Sequence, residues 1–215
     1  MNDDLAFLDA VSTSLVSDVL ERLGVPGQCE SIRPLLPEMH VSGRAFTVRV
    51  MPQTDPPSPY VDYQDDLKQG DVCVLASGGF MGGGSWGDLR TLMSQRVGVA
   101  GVVIDGAVRD TRGCLESGFP TFVRGTTMYT GNRRLRVEGK QVPVEIDGVS
   151  VSPGDIVVAD ADGVTVIPKR LEAEALPLLR KFHRADEKIM EAIRQGVPLK
   201  EARLRYAYNP PPTEK

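Results

Sequence analysis

Three charged residues carry the clearest chemical signal in this sequence: Asp88, Arg109 and Asp110. The Asp110 carboxylate can bind a hard divalent cation, and Asp88 can hold the waters of that cation or bind it directly. Arg109 offers a planar, two-pronged donor that matches a carboxylate. Together these groups suit a small 2-oxo acid held against a metal ion. The alternative, a plain surface salt bridge between Arg109 and Asp110, remains open on spacing alone.

A glycine-rich segment, Ser77 to Gly87, directly precedes Asp88. It follows a short apolar run and precedes a helical pattern, so we expect a loop that leads into a helix N-terminus. Free backbone N–H groups and the positive end of the helix bind anions at such a junction. The rim of that anion site would consist of Gly87, Asp88, Leu89 and Arg90. A flexible glycine loop without a ligand is the alternative.

The same glycines match the dinucleotide-binding pattern GxGxxG from Gly82 to Gly87, with Asp105 at the end of the next expected strand. Two features argue against NAD. The first strand ends near Ala76, several residues before Gly82, whereas the fingerprint needs its turn almost at once. The chain downstream also changes to short antiparallel strands. No GxxxxGK is present, which excludes an ordinary phosphate-binding P-loop.

Histidine and cysteine are scarce and scattered: two histidines and three cysteines stand far apart along the chain. No spacing typical of a zinc site occurs. A metal would therefore be held by carboxylates and water, which favours Mg²⁺ or Mn²⁺. Cys73 lies in an apolar run and is expected to be a buried strand thiol. The odd cysteine count fits a reducing compartment, and we expect a cytoplasmic protein.

Two elements must position the charged residues. The spacing predicts a helix from Asp88 to Val97, about 15 Å long, with Leu89, Leu92, Met93 and Val97 on one side. A buried strand from Ala100 to Ile104, about 16 Å long, should run back in the opposite direction. The polar loop 105–112 then returns beside the helix N-terminus. Arg109 and Asp110 converge there only if the chain turns, and Gly106 would allow that turn.

The rest of the chain supplies the scaffold. Apolar residues from Leu5 to Leu23 recur at helical steps, with a possible restart at Ser12 to Ser14 and a stop at Gly24. A strand is expected from 44 to 50, and a proline-rich loop or lid from 51 to 59. Further short strands are expected at 72–76, 121–124, 142–146, 149–151, 156–159 and 164–167. A long helix at 171–194, kinked at Pro177, should follow, and the tail from Asn209 should be disordered.

Length and charge limit the class of protein. The chain has 215 residues, 41% hydrophobic and 25% charged, with a net charge of −4. Length and composition indicate one domain, which we place at residues 1–198 with a C-terminal extension at 199–215. The order of the expected elements makes this domain mixed α/β. The mild acidity argues against a nucleic-acid-coating protein. No basic, apolar leader and no stretch of about 18 apolar residues occurs, so we expect neither secretion nor a membrane partner.

Asp88, twenty intervening residues and Arg109-Asp110 resemble the signature of the metal-dependent class II pyruvate aldolases related to the regulator of ribonuclease E activity. The segments GVAGVVIDGAVRD, GFPTFVRG and VSPGDIVVADADGVTVIP resemble that family as well. The resemblance covers about residues 12 to 195. Its departures are the proline-rich segment 51–63 and the segment 128–136. Both segments are candidates for shaping the pocket and so for setting the exact substrate.

The resemblance implies a layered α-β-β-α sandwich related to swivelling β/β/α domains, assembled as a homotrimer or homohexamer. It implies Asp110 as the metal ligand, Arg109 as the binder of substrate and enolate, and Gly87 to Arg90 as the rim for the pyruvyl carboxylate. It further implies an acidic residue from a neighbouring subunit's C-terminal helix. Glu187 is our candidate, and Glu191 lies one turn further along.

The expected activity is the retro-aldol cleavage of a 4-hydroxy-2-oxo acid such as 4-hydroxy-4-methyl-2-oxoglutarate, with oxaloacetate decarboxylation as a second reaction through the same pyruvate enolate. Arg109 would stabilise that enolate, and Asp88 would orient a water for proton transfer. No lysine falls between Ser77 and Asp110, which argues against a Schiff-base aldolase. The alternative is a non-catalytic binding protein like the ribonuclease E regulators, which resemble the chain but lack the full Asp…Arg-Asp set.

Overall fold

The computed structural model of the chain describes residues 7–53 and 62–206. Its helices within these ranges are α1 (Thr13–Leu23), α2 (Asp88–Val97), α3 (Thr111–Ser117), α4 (Glu172–Arg194) and α5 (Leu199–Tyr206). Its strands are β1 (Gln28–Cys29), β2 (Arg33–Pro34), β3 (Val41–Pro52), β4 (Asp71–Trp86), β5 (Gly101–Val108), β6 (Thr121–Thr126), β7 (Leu135–Lys140), β8 (Val144–Ile146), β9 (Val149–Val151), β10 (Ile156–Asp160) and β11 (Gly163–Ile167). Short 3₁₀ turns lie at Gln64–Asp66 and Lys169–Leu171.

Most of the strands form one mixed sheet in the order β1-β11-β10-β3-β4-β5-β6-β2, with β7 paired to β3. The central pairs β3–β4, β4–β5 and β5–β6 are parallel, and the remaining pairs are antiparallel. Strands β8 and β9 form a separate hairpin. The expected change from α/β order in the middle of the chain to antiparallel strands afterwards is confirmed.

One apolar core lies between two parts of the folded sheet. Val157 of β10 and Val74 of β4 both contribute to it. Because successive strand side chains face opposite sides, Ile156 and Leu75 face outward instead. Ile156 packs in a core with α1 and α4, and Leu75 packs in a core that includes residues from α2 and α3. The layers therefore run helix, sheet, sheet, helix, and the expected α-β-β-α class is confirmed.

The expected helix limits hold where strong end signals occur. Helix α1 begins after Ser12, whose hydroxyl accepts from the Leu15 N–H, and ends at Gly24 in the left-handed conformation (φ 70°). Helix α4 includes Pro177, as the predicted limits required, and the kink at this residue stays a prediction. Leu5, most of the proline-rich segment (54–61) and the tail from Asn209 lie outside the described residues. Within the ranges that the structure describes, no helix is long and apolar enough to cross a membrane.

The glycine-rich segment is not a loop, and this prediction was wrong. Strand β4 continues through it to Trp86, pairing with β5 across three register shifts. Gly106 pairs with Phe80 inside β5, so the polar loop predicted from 105 also begins later, after Val108. The glycines carry no side chain, so this stretch shows no apolar pattern in the sequence. Its backbone hydrogen bonds are nevertheless completed by pairing with β5. A dinucleotide fingerprint needs a tight turn at these glycines. The segment from Gly82 to Trp86 is part of β4 instead.

The side of α2 that faces the core was also predicted wrongly. Leu89 and Leu92 are 79% and 66% exposed, whereas Thr91 and Ser94 are buried. The buried pair is satisfied by hydrogen bonds, since Trp86 Nε1 donates to Thr91 Oγ1 and Gln64 Nε2 donates to Ser94 Oγ. A polar network rather than an apolar stripe therefore attaches this helix to the sheet.

The C-terminal extension begins with an ordered helix. Ala202 of α5 is buried against Ile189 and Ala192 of α4. The first eight residues of the extension, 199–206, therefore pack onto the domain. They return along the same long helix that carries Glu187.

Candidate active site

Two strand-to-helix junctions lie side by side at one edge of the sheet. Strand β4 leads through Gly87 into α2, and β5 leads through Arg109 and Asp110 into α3. The last strand residues, Trp86 and Val108, are paired, and the Arg109 N–H donates to the Trp86 carbonyl at 3.0 Å. Because the two strands are parallel, both carboxyl ends meet here. The prediction that Arg109 and Asp110 lie beside the start of α2 is therefore confirmed.

The turn that brings these residues together lies at Asp110 itself. Asp110 adopts the left-handed conformation (φ 52°, ψ 38°), which is uncommon for a residue with a side chain. Its Oδ2 accepts from Arg109 Nε at 2.8 Å, and both side chains are about a third exposed, at 36% and 37%. The turn predicted at Gly106 is therefore wrong: the chain stays extended until Val108 and reverses two residues later.

Three glycines allow this close approach of side chains to backbone. A Cβ on Gly84 would lie 2.8 Å from Arg109 Cγ, and one on Gly87 would lie 2.7 Å from Asp110 Oδ2. A Cβ on Gly113 would lie 2.8 Å from the Cβ of Asp88. Gly84 and Gly87 were expected to lie in a loop. Their lack of a side chain instead leaves room for the side chains of Arg109 and Asp110.

The N-terminus of α2 faces the same cleft. Gly87, the residue that precedes the helix, supplies no side-chain cap. The first N–H groups of a helix lack intrahelical partners. The Leu89 N–H is satisfied by Asp88 Oδ1 at 2.7 Å. The start of α2 therefore faces the cleft, with the Asp88 carboxylate already bonded to one of its N–H groups.

The Arg90 side chain turns away from this edge. Its Nη1 donates to Gln64 Oε1 at 3.1 Å, and its guanidinium lies 4.7 Å from the centre of the Tyr63 ring. At Arg90, only the backbone is left for the anion rim predicted at Gly87 to Arg90, and that rim stays a prediction. The guanidinium itself links α2 to the 3₁₀ turn before β4.

A buried polar chain supports the floor of the site. Trp86 donates to Thr91, and Thr91 Oγ1 lies 3.6 Å from Cys114 Sγ on α3. Trp86 also stacks on Phe119 with ring centres 6.3 Å apart. Burial is the main cause that raises the pKa of Cys114, and the nearby carboxylates of Asp88 and Asp110 add to the rise. This thiol is therefore protonated at neutral pH and serves packing rather than nucleophilic attack.

The other two cysteines are equally inert. Cys29 and Cys73 are free and buried. Burial raises the pKa of Cys29 to about 12 and raises that of Cys73 strongly as well. The expectation that Cys73 is a buried strand thiol is confirmed.

The junctions open into a cleft of about 490 Å³. One wall comes from residues 130–137, the end of the β6–β7 connection and the start of β7. These residues overlap the segment 128–136, which was expected to shape the pocket. The cleft contains Arg90, Arg109, Arg133 and Arg136, against the carboxylates of Asp88 and Asp110. The run of arginines at 133, 134 and 136 was the available signal in the sequence.

The donor set at the cleft fits a hard, hydrated cation. Among the residues that the structure describes, no three His, Cys, Asp or Glu side chains converge as a metal site. Asp110 uses Oδ2 for Arg109, which leaves Oδ1 available. Magnesium keeps several waters and commonly binds one or two carboxylates together with substrate oxygens. Asp110, with Asp88 nearby, fits Mg²⁺ or Mn²⁺ and does not fit a closed zinc site.

Glu187 lies outside the cleft of its own chain. It projects from α4, is 60% exposed, and lies 3.6 Å from His183 Nε2 one turn earlier. Its proposed role is at a neighbouring subunit's site, which a single chain leaves untested. That role stays a prediction.

Comparison with protein families gives a match over most of the chain. The family model described as RraA-like, Aldolase/RraA, matches residues 13–166. A protein of Halalkalibacterium halodurans named "Putative 4-hydroxy-4-methyl-2-oxoglutarate aldolase" is 34% identical over 93% of both chains. Protein DlpA of Legionella pneumophila is 33% identical over 91% of this chain. The match covers 32% of DlpA, so the chain spans about a third of that relative's length.

Solved structures agree with this match. An uncharacterized protein from Pseudomonas syringae superimposes with a TM-score of 0.87 and 33% identity, over 94% of this chain and 98% of that one. Streptomyces coelicolor RraAS2, described as an unusual member of the RNase ES inhibitor RraA protein family, gives a TM-score of 0.83 and 29% identity, over 90% and 98% of the two chains. The fold and the order of elements are therefore shared along almost the whole domain.

Proposed function

The chain belongs to the RraA-like (Aldolase/RraA) family, and from that premise we propose that it is a divalent-metal-dependent pyruvate aldolase. The reaction is the retro-aldol cleavage of a 4-hydroxy-2-oxo acid, such as 4-hydroxy-4-methyl-2-oxoglutarate, to pyruvate and a second carbonyl compound. The name of the Halalkalibacterium relative supports this class of activity. We include a cytoplasmic location, supported by three free and buried cysteines that suit a reducing compartment.

One observation carries the proposal: Arg109, Asp110 and the N-terminus of α2 line the same cleft. A 2-oxo acid needs a cation for its carboxylate, a partner for its keto oxygen and a site that tolerates negative charge. The cleft supplies a guanidinium, a carboxylate able to hold Mg²⁺ or Mn²⁺, and backbone N–H groups. A surface ion pair would need neither the glycine contacts nor the helix end beside it.

Each residue then has a defined task. Asp110 would hold the cation and Asp88 would anchor its waters, and the bound cation would supply Lewis-acid polarisation of the 2-oxo acid. Arg109 donates to the carboxylate and to the oxygen that becomes an enolate. The N–H groups at the start of α2 hold the carboxylate from the other side. Donors placed where charge develops accelerate the reaction because they stabilise the transition state more than the ground state.

The bond changes balance as follows. A base removes the proton of the C4 hydroxyl, and that oxygen becomes a carbonyl as the C3–C4 bond breaks. The electron pair of the broken bond passes to C3 and delocalises as the pyruvate enolate, beside Arg109. C3 then takes a proton to give pyruvate. Asp88, exposed at the mouth of the cleft, orients the water through which these protons move.

Oxaloacetate decarboxylation follows from the same site. Loss of carbon dioxide from oxaloacetate leaves its electron pair on the same pyruvate enolate. The groups that stabilise the aldol enolate therefore act on this one without rearrangement. We propose it as a second activity.

The proposal includes a homotrimer or homohexamer in which Glu187 reaches a neighbouring site. Large apolar side chains that the single chain leaves exposed support an assembly of subunits. They include Leu89, which lines the cleft, and Met128, which precedes the segment 130–137. These side chains are 79% and 87% exposed. Exposed apolar surface of this kind is typical of protein interfaces.

The test is pyruvate release from 4-hydroxy-4-methyl-2-oxoglutarate and from oxaloacetate, with Mg²⁺, with Mn²⁺, and with excess EDTA. The proposal predicts release from the hydroxy acid that depends on the added cation and returns when Mg²⁺ is restored after EDTA. Full turnover in EDTA would contradict the metal role. Absence of release under every condition would contradict the lyase.

A non-catalytic regulator is the second candidate. Its support is the resemblance to Streptomyces RraAS2, described as a member of an RNase ES inhibitor family. That reading predicts no pyruvate release and inhibition of an RNase E-type ribonuclease by the purified chain. The complete set of Asp88, Arg109 and Asp110 in one cleft favours the enzyme.

A further inference from the structure

The cleft carries more positive charge than a single carboxylate requires. Four arginines line it against two aspartates. Arg109 is paired with Asp110, and Arg90 is held by Gln64 and Tyr63. Arg136 donates to the Pro52 carbonyl at 2.8 Å. Arg133 makes no hydrogen bond or ion pair with any other described residue, although it is exposed and lines the cleft.

Gly84 of β4 contacts both the loop that carries Arg133 and the side chain of Arg109. The Gly84 N–H donates to the Tyr129 carbonyl at 3.0 Å, and a Cβ on Gly131 would lie 2.4 Å from the Gly84 carbonyl oxygen. The opposite contact of Gly84 is with the side chain of Arg109. One glycine of β4 therefore separates Arg109 from the loop that carries Arg133. Both arginines line the same cleft.

The loop is built to present this side chain. The Gly131 carbonyl accepts from the N–H groups of Arg134 and Leu135, at 2.9 and 2.8 Å, which closes a tight turn. Arg133 occupies that turn in the left-handed conformation, with φ 62°. Residues other than glycine and asparagine seldom adopt it, and such strain concentrates at ligand sites. A glycine would relieve the strain, so the presence of arginine indicates a use for its guanidinium.

We propose that Arg133 binds a second carboxylate of the substrate, on the half that leaves as the other carbonyl compound. In 4-hydroxy-4-methyl-2-oxoglutarate this group is the carboxylate attached to C4. This inference rests on the proposed function for the 2-oxo acid itself. Arg133 is a specificity residue here, since it contacts the distal carboxylate and not the bond that breaks.

The experiment measures binding without turnover. Titration calorimetry with Mg²⁺ compares 2-oxoglutarate with 2-oxopentanoate, which has the same chain length and a methyl group in place of the distal carboxylate. The variants are Arg133→Gly, which suits the left-handed backbone, and Arg133→Gln. Arg134→Gln is the matched control, because it removes the same charge from the adjacent residue, whose side chain stacks on Tyr129 and lies outside the cleft lining.

Wild type is expected to bind 2-oxoglutarate more tightly than 2-oxopentanoate. Both Arg133 variants should weaken 2-oxoglutarate by about fivefold, the effect of one exposed charge pair, and leave 2-oxopentanoate unchanged. Arg134→Gln should leave both unchanged. Equal losses for both ligands, an equal loss in Arg134→Gln, no loss in either Arg133 variant, or no binding of either ligand by wild type would each overturn the proposal.

Pyruvate release is read separately on the same proteins. Selective loss of 2-oxoglutarate binding without pyruvate release from any hydroxy acid contradicts the aldolase and supports the carboxylate site. Pyruvate release that is unaffected by Arg133, together with unselective binding, contradicts the carboxylate site and supports the aldolase.

Discussion

Gly87 and Asp110 lie in contact across the two strand-to-helix junctions, and a Cβ on Gly87 would sit 2.7 Å from Asp110 Oδ2. No real Cβ approaches a carboxylate oxygen so closely. The backbone of Gly87 is extended, with φ −170°, so it is the contact and not the conformation that requires glycine. The position of the proposed metal ligand, Asp110, thus depends on the absence of a side chain at Gly87, in the neighbouring strand-to-helix junction.

Gly87→Ala should therefore displace the Asp110 carboxylate while leaving the fold intact. We expect the apparent affinity for Mg²⁺, measured from the cation dependence of pyruvate release, to fall by about tenfold, as when a residue that orients a metal ligand is changed. Leu92→Ala is the control, since it removes an exposed side chain of the same helix that lies outside the cleft lining. An unchanged Mg²⁺ affinity in Gly87→Ala would argue against Asp110 as the ligand.

The proposed role of Glu187 in a neighbouring site can be tested by complementation. Glu187→Gln and Arg109→Ala should each be nearly inactive as homo-oligomers of trimeric or hexameric mass by light scattering. Co-refolded mixtures should regain activity, because about a quarter of the sites in a random cyclic assembly pair an intact Arg109 with a neighbour's intact Glu187. Mixtures no more active than their parents, or a monomer in solution, would oppose a shared site.

The Asp147 carboxylate gives a pH-dependent contribution to stability that is independent of catalysis. Its burial alone would raise its pKa, but the hydrogen bond from the Ser31 N–H and the charge of Arg124 outweigh burial, and the pKa of Asp147 lies below its ordinary value of 3.8. A carboxyl whose pKa is lowered by folding stabilises the native state above its ordinary pKa and loses that effect as pH falls through the native value.

Asp147→Asn should therefore lower the free energy of unfolding by about 2 kcal/mol near pH 7, the value of hydrogen bonds to a charged group. The difference from wild type should shrink as pH falls below about 4. Asparagine suits the left-handed turn at this position (φ 50°), so the hairpin itself should persist. Urea unfolding at several pH values measures the effect, and a difference that stays constant with pH would contradict the assignment.

The meeting of Asp88, Arg109 and Asp110 could be predicted from sequence because it follows from element lengths. A helix and a strand of nearly equal length that run in opposite directions must bring the next loop back to the start. The apolar run that predicted β5 was visible, and α2 has the limits predicted for it. The turn was assigned to Gly106 because Asp110 gave no sign that it would adopt a left-handed backbone.

The remainder of the site depends on pairing that the sequence does not display. The stretch from Ser77 to Trp86 forms a strand because β5 completes its hydrogen bonds across three irregularities, although its glycines carry no apolar pattern. Arg133 reaches the cleft because its loop binds Gly84, a contact between residues far apart in the chain. Polar loops without periodicity give no local signal of where they fold back.

Steady-state kinetics of Arg109→Ala test the central claim most directly. If Arg109 stabilises the developing enolate, kcat for pyruvate release should fall by a few hundred-fold, or about 3–4 kcal/mol, with a much smaller change in KM. Mg²⁺ affinity should change little, because Asp110 holds the cation. Arg109→Lys should recover little activity, since an ammonium cannot make the planar two-pronged contact. Near-normal turnover in a folded Arg109→Ala would reduce Arg109 to a surface partner of Asp110 and contradict the proposed site.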